Sequence, residues 1–429
     1  MHQRTYGSLL LGLSLLVPAC GSIVKQDPDA APTDACQTCI DAPTTGVVKV
    51  TVVNRGAIVP NADVVFQNAD DTVVAVAKSG PDGTAQATMR TGGSVTVVMP
   101  LIAPATSQTV YTFLAVEPGD QLATDRVTVT TTKVSRVFNL PTVVGATSYD
   151  VRTECGNALG NATPSVTIMV DTGCTMSNIY VTARGPTPRS FFAPNVTIPA
   201  GVLDLTNRTF TNSVQLAATL TNTPAVVTSA QSSAQLVVGK LEMTAPDGTA
   251  LTYPLPLSPL TTGLLKVADI ANADAFILTS IRRSSGASQL FFERTANAAF
   301  TFDVGQNQLP WLLAAPAVDL NANTILWTES NEGSAETTFA SFRIARPAPG
   351  VNFTHEMISP HTVGKLVIPR LPAPLDTFNV TATDTPTSLN VQLATFPGGY
   401  DAIRATAFSA STVSERVPSR GRFGASVFN

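Results

Sequence analysis

What most limits this chain is its punctuation: short runs of β-branched and apolar residues, each ended by proline, glycine, asparagine or aspartate. From Val47 the run V-V-K-V-T-V-V suits a pleated surface, where branching at Cβ is tolerated better than in a helix. The runs Ala62 to Phe66, Thr72 to Ala77, Thr84 to Met89 and Ser94 to Val98 follow, separated by Asn54, Arg55 and Gly56, by Pro60 and Asn61, by Pro81, Asp82 and Gly83, and by Gly92 and Gly93. Strands recurring about every 8–12 residues with such turns indicate a β-sandwich. The pattern resumes near Tyr149 with Y-D-V-R-T-E-C, S-V-T-I-M-V-D, N-I-Y-V-T-A-R, S-F-F-A-P-N-V-T-I and V-L-D-L-T. Beyond Asn212 its clearest strands are Ala275 to Ile281, Gln289 to Arg294, Ile325 to Thr328, Thr337 to Ile344, Lys365 to Ile368, Leu389 to Leu393 and Ala402 to Phe408. One window alone, T-G-L-L-K-V-A-D-I-A around Leu264 to Ala271, keeps a helical period.

The fold class expected is therefore all-β, with two or three consecutive β-sandwich domains. Residues 47–141 form the first, 147–211 a second segment, and 212–429 a larger C-terminal β region of one domain or two. The 429 residues exceed one ordinary domain, and 44% hydrophobic content is ample for sizeable cores. Charged residues make up 13%, about half the usual share. A net charge of −4 offers nothing to attract nucleic acid. The one basic cluster, Arg416, Arg420 and Arg422, reads as a solvated polar tail.

The first residues have the layout of a secretory signal. His2 and Arg4 give a weakly basic start, Leu9 to Val17 an uncharged apolar run, and Ala19 a small residue directly before Cys20. The apolar run is far shorter than the roughly 20 residues a spanning helix needs. Val17, Pro18, Ala19 and Cys20 resemble the lipobox of bacterial lipoproteins. That resemblance implies removal of residues 1–19 as signal peptide, lipidation of Cys20 and attachment to a membrane by two or three acyl chains, enough for durable anchoring. Gly21, where the family's sorting rule would place aspartate to retain a protein at the inner membrane, implies the outer membrane. Residues 20–46, with Asp27, Pro28, Asp29, Pro32 and Asp34, bury too little apolar surface to fold alone and read as a flexible tether.

With Cys20 assigned to lipid, Cys36, Cys39, Cys155 and Cys174 remain, the even number that disulfides in an oxidising compartment require. Pairing Cys36 with Cys39 and Cys155 with Cys174 is simplest, and the crossed pairings stay open. Cys36-Gln37-Thr38-Cys39 matches a redox C-x-x-C in spacing, but Asp34 and Asp41 disfavour a thiolate there. A four-thiolate zinc site would need Cys155 and Cys174 to act as a knuckle at much wider spacing than such sites use.

The elements V-K-V-T-V-V, I-V-P-N-A-D-V-V-F, P-D-G-T-A-Q-A-T-M and G-G-S-V-T-V-V together resemble the carboxypeptidase regulatory-like and bacterial immunoglobulin-like sandwiches. The resemblance covers Val47 to Pro100 and extends towards Leu140. It implies an immunoglobulin-like or transthyretin-like sandwich in a stalk, adhesive or accessory role, without catalysis and without a specified ligand.

Histidine supply restricts catalysis. His2 leaves with the signal peptide, and His355 and His361 remain in H-E-M-I-S-P-H. A zinc site of the H-E-x-x-H kind needs two imidazoles four residues apart on one helical face. Here they are six apart with Pro360 between them, on strand and loop. With Glu356 they are the candidates for a loop-based metal site or a metal-dependent or hydrolytic enzyme of the envelope, the alternative to a binding module. There is no G-x-S-x-G, no P-loop and no strand-linked G-x-G-x-x-G. Asp70 and Asp71, and Asp82 and Asp247 before glycine, read as turn formers. Trp311 and Trp327 read as core, and 6% aromatic content does not support a sugar-binding platform. An outer-membrane barrel is disfavoured by the lipobox and by the want of an aromatic girdle. The expectation is a non-enzymatic, lipid-anchored cell-envelope protein with no cofactor, which presents loops to a protein or polysaccharide.

Overall fold

The computed structural model describes residues 45–54, 56–101, 106–125, 132–186, 189–238, 241–244, 253–255, 262–268, 274–283, 286–295, 299–346, 351–396, 398–404 and 421–428. The chain divides into two units, Met1–Ala42 and Pro43–Asn429, and the first lies outside the described residues. The signal sequence, Cys20, the tether up to residue 44, the Cys36 and Cys39 pair and Asp247 therefore lie outside them as well. The second unit is all-β, and its sheets are open rather than closed into a barrel.

The first sandwich follows from period-two burial. Strand Thr45–Thr51 pairs antiparallel with Thr84–Arg90 and parallel with Gln121–Ala123. Its Val48 and Val50 point inward, onto Val64 and Phe66 of strand Asp63–Gln67, Val95 and Val97 of Gly93–Val98, and Phe113 of Gln108–Val116. All are essentially inaccessible to water, and each such side chain stabilises by about 1.5–3 kcal/mol relative to exposure. The turns work as the sequence requires. Asp82 Oδ1 accepts from the Thr84 backbone N–H at 3.0 Å, and Gly83 sits at φ +74°, where a Cβ would lie 2.8 Å from the Val52 carbonyl oxygen. Asp70 accepts from Thr72 N–H and hydroxyl at 3.1 and 2.6 Å, closing the N-A-D-D-T turn with Asp71 at φ +62°.

A second sandwich faces strands Lys133–Asn139, Ser165–Asp171 and Val202–Asp204 against Ser148–Thr153, Gly156–Leu159, Met176–Arg184 and Arg189–Thr197. Phe138, Ile168, Val170, Tyr149, Val151, Ile179 and Val181 fill the space between. Cys155 and Cys174 form a disulfide with Cα atoms 6.0 Å apart, and both pack against this core.

The largest sheet runs Leu241–Thr244, Val227–Val238, Asp274–Arg283, Ala287–Thr295, Gly421–Phe428, Pro386–Thr395, Thr337–Ile344, Phe353–Pro360, Gln108–Val116, Gly93–Val98, Asp63–Gln67 and Val73–Lys78, with Tyr253–Leu255 also on Val227–Val238. Its parallel pair, Gln108–Val116 with Phe353–Pro360, hydrogen-bonds strands from the 47–141 stretch to strands from the 212–429 stretch. Both faces of this part are covered. One meets the first sandwich core, while the other, through Val65, Val98, Val110, Phe342, Phe353 and Met357, meets Leu312, Trp327, Leu366, Ile368, Leu371 and Phe378. Part of that cover is a small sheet of Ala317–Asp319, Thr324–Leu326 and Lys365–Val367. Two-sided burial explains why G-S-V-T-V-V is buried at every position instead of alternating.

Three expectations need correction. The window around Leu264 to Ala271 is, as far as Ala268, strand Thr262–Ala268, paired antiparallel over seven residues with Thr211–Thr221, and residues 269–271 lie outside the described residues; seven ladder partners outweigh a helical period too short to nucleate a helix alone. The start of the expected strand Ala402 to Phe408 is instead a short α-helix, Gly399–Arg404, and residues 405–408 lie outside the described residues. Gly398 and Gly399, at φ +85° and +66°, turn the chain out of the preceding strand, and Tyr400, Ile403 and Arg404 bury one helical face. The polar tail is no tail at Arg422, which lies in strand Gly421–Phe428 between two neighbours of the largest sheet; Arg416 and Arg420 lie outside the described residues.

Candidate functional site

Strand alternation divides the H-E-M-I-S-P-H residues at once. On Phe353–Pro360, His355 shares a face with Phe353 and Met357, while Glu356 points to the other face. His355 is 2% exposed. Its Nε2 meets the Thr112 hydroxyl at 2.8 Å, Thr112 meets the Thr96 hydroxyl at 2.9 Å, and the ring lies 5.4 Å from that of Phe342. These hydroxyls and the imidazole link three adjacent strands through a dry layer. Nδ1 has no hydrogen-bond partner. Burial pushes the imidazole pKa down from 6.5 to about 3, so the ring is neutral at physiological pH.

Glu356 is held above the usual carboxylate range by burial and by the charge of Asp125. Burial, with Glu356 and Asp125 nearby, also raises the phenol of Tyr111.

His361 belongs to a different network. Its Nε2 lies 3.2 Å from Glu329 Oε1, its Nδ1 lies 3.1 Å from the Thr338 hydroxyl, and Trp327 Nε1–H donates to Glu329 Oε2 at 2.8 Å. Carboxylate, imidazole and hydroxyl stand in the order of a nucleophile relay. Thr338, however, is 0% exposed on a strand flanked in the largest sheet by Pro386–Thr395 and Phe353–Pro360, so no substrate reaches its oxygen. The structure thus brings His361 to Glu329 and Thr338, and does not bring it to His355 or Glu356. Among the described residues, no three His, Cys, Asp or Glu side chains gather as a metal set. Trp311 and Trp327 are both core, at 0% and 7% exposure.

Sequence reasoning missed two arginine clamps, a half-buried one at Arg346 and a buried one at Arg404. Arg346 grips Asp384 through Nε at 2.7 Å and Nη2 at 2.5 Å, donates to the Thr377 and Asn379 carbonyls, and lies 5.5 Å from the Phe353 ring centre. The Arg346 guanidinium lowers the carboxyl pKa of Asp384. Arg404 meets Asp120 at 3.1 Å and Asp401 at 3.0 Å and donates to the Ala115 carbonyl at 2.9 Å, while Tyr400 donates to the Leu114 carbonyl. No local spacing announces these partners: Asp384 lies 38 residues from Arg346, and the Ala115 carbonyl 289 residues from Arg404.

Among the described residues there is a cleft of about 230 Å³, lined by Phe291, Gln306, Asn307, Gln308, Leu309, Ser334 and Thr395. Its polar lining is neutral: three amides and two hydroxyls. Gln308 Oε1 accepts from Trp311 Nε1–H at 2.9 Å, Asn307 Nδ2 donates to the Asp303 carbonyl at 2.7 Å, and the Gln289 amide brackets the Leu309 backbone at 2.6 and 3.1 Å. The site can exchange hydrogen bonds with a neutral polar ligand and holds no group suited to proton transfer.

No family model matches this chain, and no curated protein matches it in sequence. Among solved structures, the Bacillus anthracis TIE protein aligns at 9% identity and a TM-score of 0.15, over 60% of this chain and half of the other's length. A form of BcpA, the major pilin subunit of Bacillus cereus, aligns at 10% identity and a TM-score of 0.15, over 61% of this chain and 99% of the other. At that TM-score neither alignment bears on fold or function, and the all-β architecture rests on the strand pairing itself.

Proposed function

We propose that this chain is a non-catalytic display module of the bacterial cell envelope, held to the outer membrane by lipid on Cys20 and lifted from it by residues 20–46. Its β-layers present loops and the neutral cleft to an envelope or extracellular protein or polysaccharide. The observation that carries this reading is the use made of the two remaining histidines: both serve as internal hydrogen-bond joints, His355 between strands and His361 on Glu329. The lipobox residues Val17 to Cys20 support the anchor, and the resemblance of Val47 to Pro100 to stalk-like sandwiches supports the role.

Two measurements test it. Labelled palmitate incorporated by the wild type and lost in Cys20→Ala, with release of the protein from membranes, is the expected result; equal membrane retention of the unlabelled variant refutes the anchor. Metal analysis of the purified mature protein should find no stoichiometric zinc. Zinc bound one to one and lost in His355→Ala and His361→Ala overturns the display reading in favour of a metalloenzyme.

A further inference from the structure

Two amides of the cleft have an orientation that their partners dictate. An indole N–H can only donate, and a carbonyl oxygen can only accept. Trp311 Nε1–H donates to Gln308 at 2.9 Å, so the receiving atom is the amide oxygen, which leaves the Nε2 hydrogens of Gln308 for the cleft it lines. Asn307 meets the Asp303 carbonyl at 2.7 Å, so the atom there is the amide nitrogen, which leaves Oδ1 of Asn307 for the same cleft. Consecutive residues thus offer one donor and one acceptor.

Both are held before a ligand arrives. The Asp303 carbonyl also accepts the Asn307 backbone N–H at 3.2 Å, and Asp303 Oδ1 accepts the Gln306 backbone N–H at 3.2 Å. On the other side, Ser330 Oγ accepts the Trp311 backbone N–H at 3.0 Å, and Gly333, at φ +71°, packs so closely that a Cβ would stand 2.0 Å from the Gln308 carbonyl oxygen. Groups fixed in this way lose little freedom on binding.

A donor beside an acceptor complements a secondary amide, whose carbonyl accepts and whose N–H donates. The rest of the lining says which carrier of that group fits. An extended peptide repeats its amides and is bound along a row of main-chain partners. This cleft is a single compact space of about 230 Å³, below the roughly 300–1,000 Å³ of pockets for drug-sized ligands. It adds the hydroxyls of Ser334 and Thr395, partners for ring hydroxyls, and the apolar surface of Phe291 and Leu309, against which an acetyl methyl can rest. No charged side chain lines it, so the ligand is neutral.

We propose that the cleft binds one N-acetylated hexosamine unit of a polysaccharide, with Gln308 Nε2 donating to the acetamido carbonyl and Asn307 Oδ1 accepting from the acetamido N–H. The assignment rests on the display reading and names the ligand of its cleft. Trp311 serves by orienting Gln308, so recognition needs no exposed aromatic platform. A unit of this size binds with a dissociation constant on the order of 1 mM.

The test uses the mature protein with methyl N-acetyl-β-glucosaminide at up to about 10 mM, a concentration that spans this constant. Saturation-transfer NMR should show the strongest transfer at the acetyl methyl. Methyl β-glucoside, with a hydroxyl in place of the acetamido group, should bind about tenfold more weakly, and so should N-acetylalanine methylamide, an amide without a sugar ring. Gln308→Glu keeps an oxygen for Trp311 Nε1–H but removes the donor, and should weaken binding about tenfold with tryptophan emission unchanged. Ser334→Ala, at an exposed position remote from the Trp311 bond, should weaken it several-fold. The proposal is overturned if the acetamido sugar shows no transfer, or if the glucoside or the amide binds equally well. It is also overturned if Gln308→Glu or Ser334→Ala binds like the wild type. Failure here strikes the ligand alone, because the display reading is tested separately by palmitate and zinc.

Discussion

Replacing His355 with glutamine isolates one group's contribution to pH-dependent stability. The unfolded imidazole titrates near 6.5, while in the fold burial holds it at about 3. Above 6.5 neither state is protonated and the site imposes no penalty. As the pH falls through 6.5 the unfolded chain binds a proton that the folded chain refuses, so stability is lost progressively until about pH 3 and is level below it. Between about pH 7.5 and pH 5 the loss is about 2 kcal/mol, on the order of thirtyfold in the unfolding constant, and it approaches about 5 kcal/mol at the acid limit. Glutamine does not titrate and can still meet the Thr112 hydroxyl, so His355→Gln should cost about 1 kcal/mol at neutral pH and lack this component. Carboxylates elsewhere contribute equally to both proteins and cancel in the difference. Urea unfolding at the two pH values, followed by the fluorescence of Trp311 and Trp327, gives the comparison, because both tryptophans are buried and Trp327 belongs to the same apolar cluster as Met357 and Phe342. If wild type and variant lose the same stability on acidification, within about 0.5 kcal/mol, the assigned burial of His355 is wrong.

Three other perturbations have defined outcomes. Replacing Cys155 and Cys174 by serine should destabilise the second sandwich by about 3 kcal/mol through the chain entropy restored to the unfolded state, read as earlier proteolysis within residues 133–204. Asp384→Ala leaves the half-buried Arg346 guanidinium without its carboxylate and should cost about 1–3 kcal/mol, measured by chemical denaturation; a cost below about 0.5 kcal/mol would mean that the pair is solvated. Glu329→Ala orphans both Trp327 Nε1–H and His361 Nε2 and should cost about 2 kcal/mol, with a shift in tryptophan emission that Glu332→Ala, at an exposed position, does not reproduce.

The strands of residues 47–98 were legible because each is bounded by a turn whose chemistry is local: Asp82 and Gly83 act on Thr84 and Val52, and Asp70 acts on Thr72. The helix Gly399–Arg404 was not, because three buried positions on six residues do not establish a period against a β-rich background. Cys155 and Cys174 could be proposed as partners from their spacing, whereas the cover laid over Val65, Val110 and Phe353 has no local signature. The histidine candidate looked compact in sequence because six residues separate the two rings. A pleated strand sends His355 and Glu356 to opposite faces, and His361 lies past its end, where Glu329 draws it away. The partners that matter, Thr112 for His355 and Asp384 for Arg346, lie 243 and 38 residues away, beyond any motif.

The parallel pair of Gln108–Val116 with Phe353–Pro360 also sets a schedule for the nascent chain. When the first sandwich's strands have been synthesised, the Gln108–Val116 edge has no neighbour on one side, and the face carrying Val65, Val98 and Val110 has no cover until residues more than two hundred positions later arrive. Contacts of such sequence separation form late and slowly. In the interval the chain exposes an unpaired edge beside an apolar face, the combination most prone to intermolecular pairing. A fragment ending near residue 141 should therefore aggregate where the longer chain does not, and co-expression of residues 299–396 as a second piece should restore its solubility.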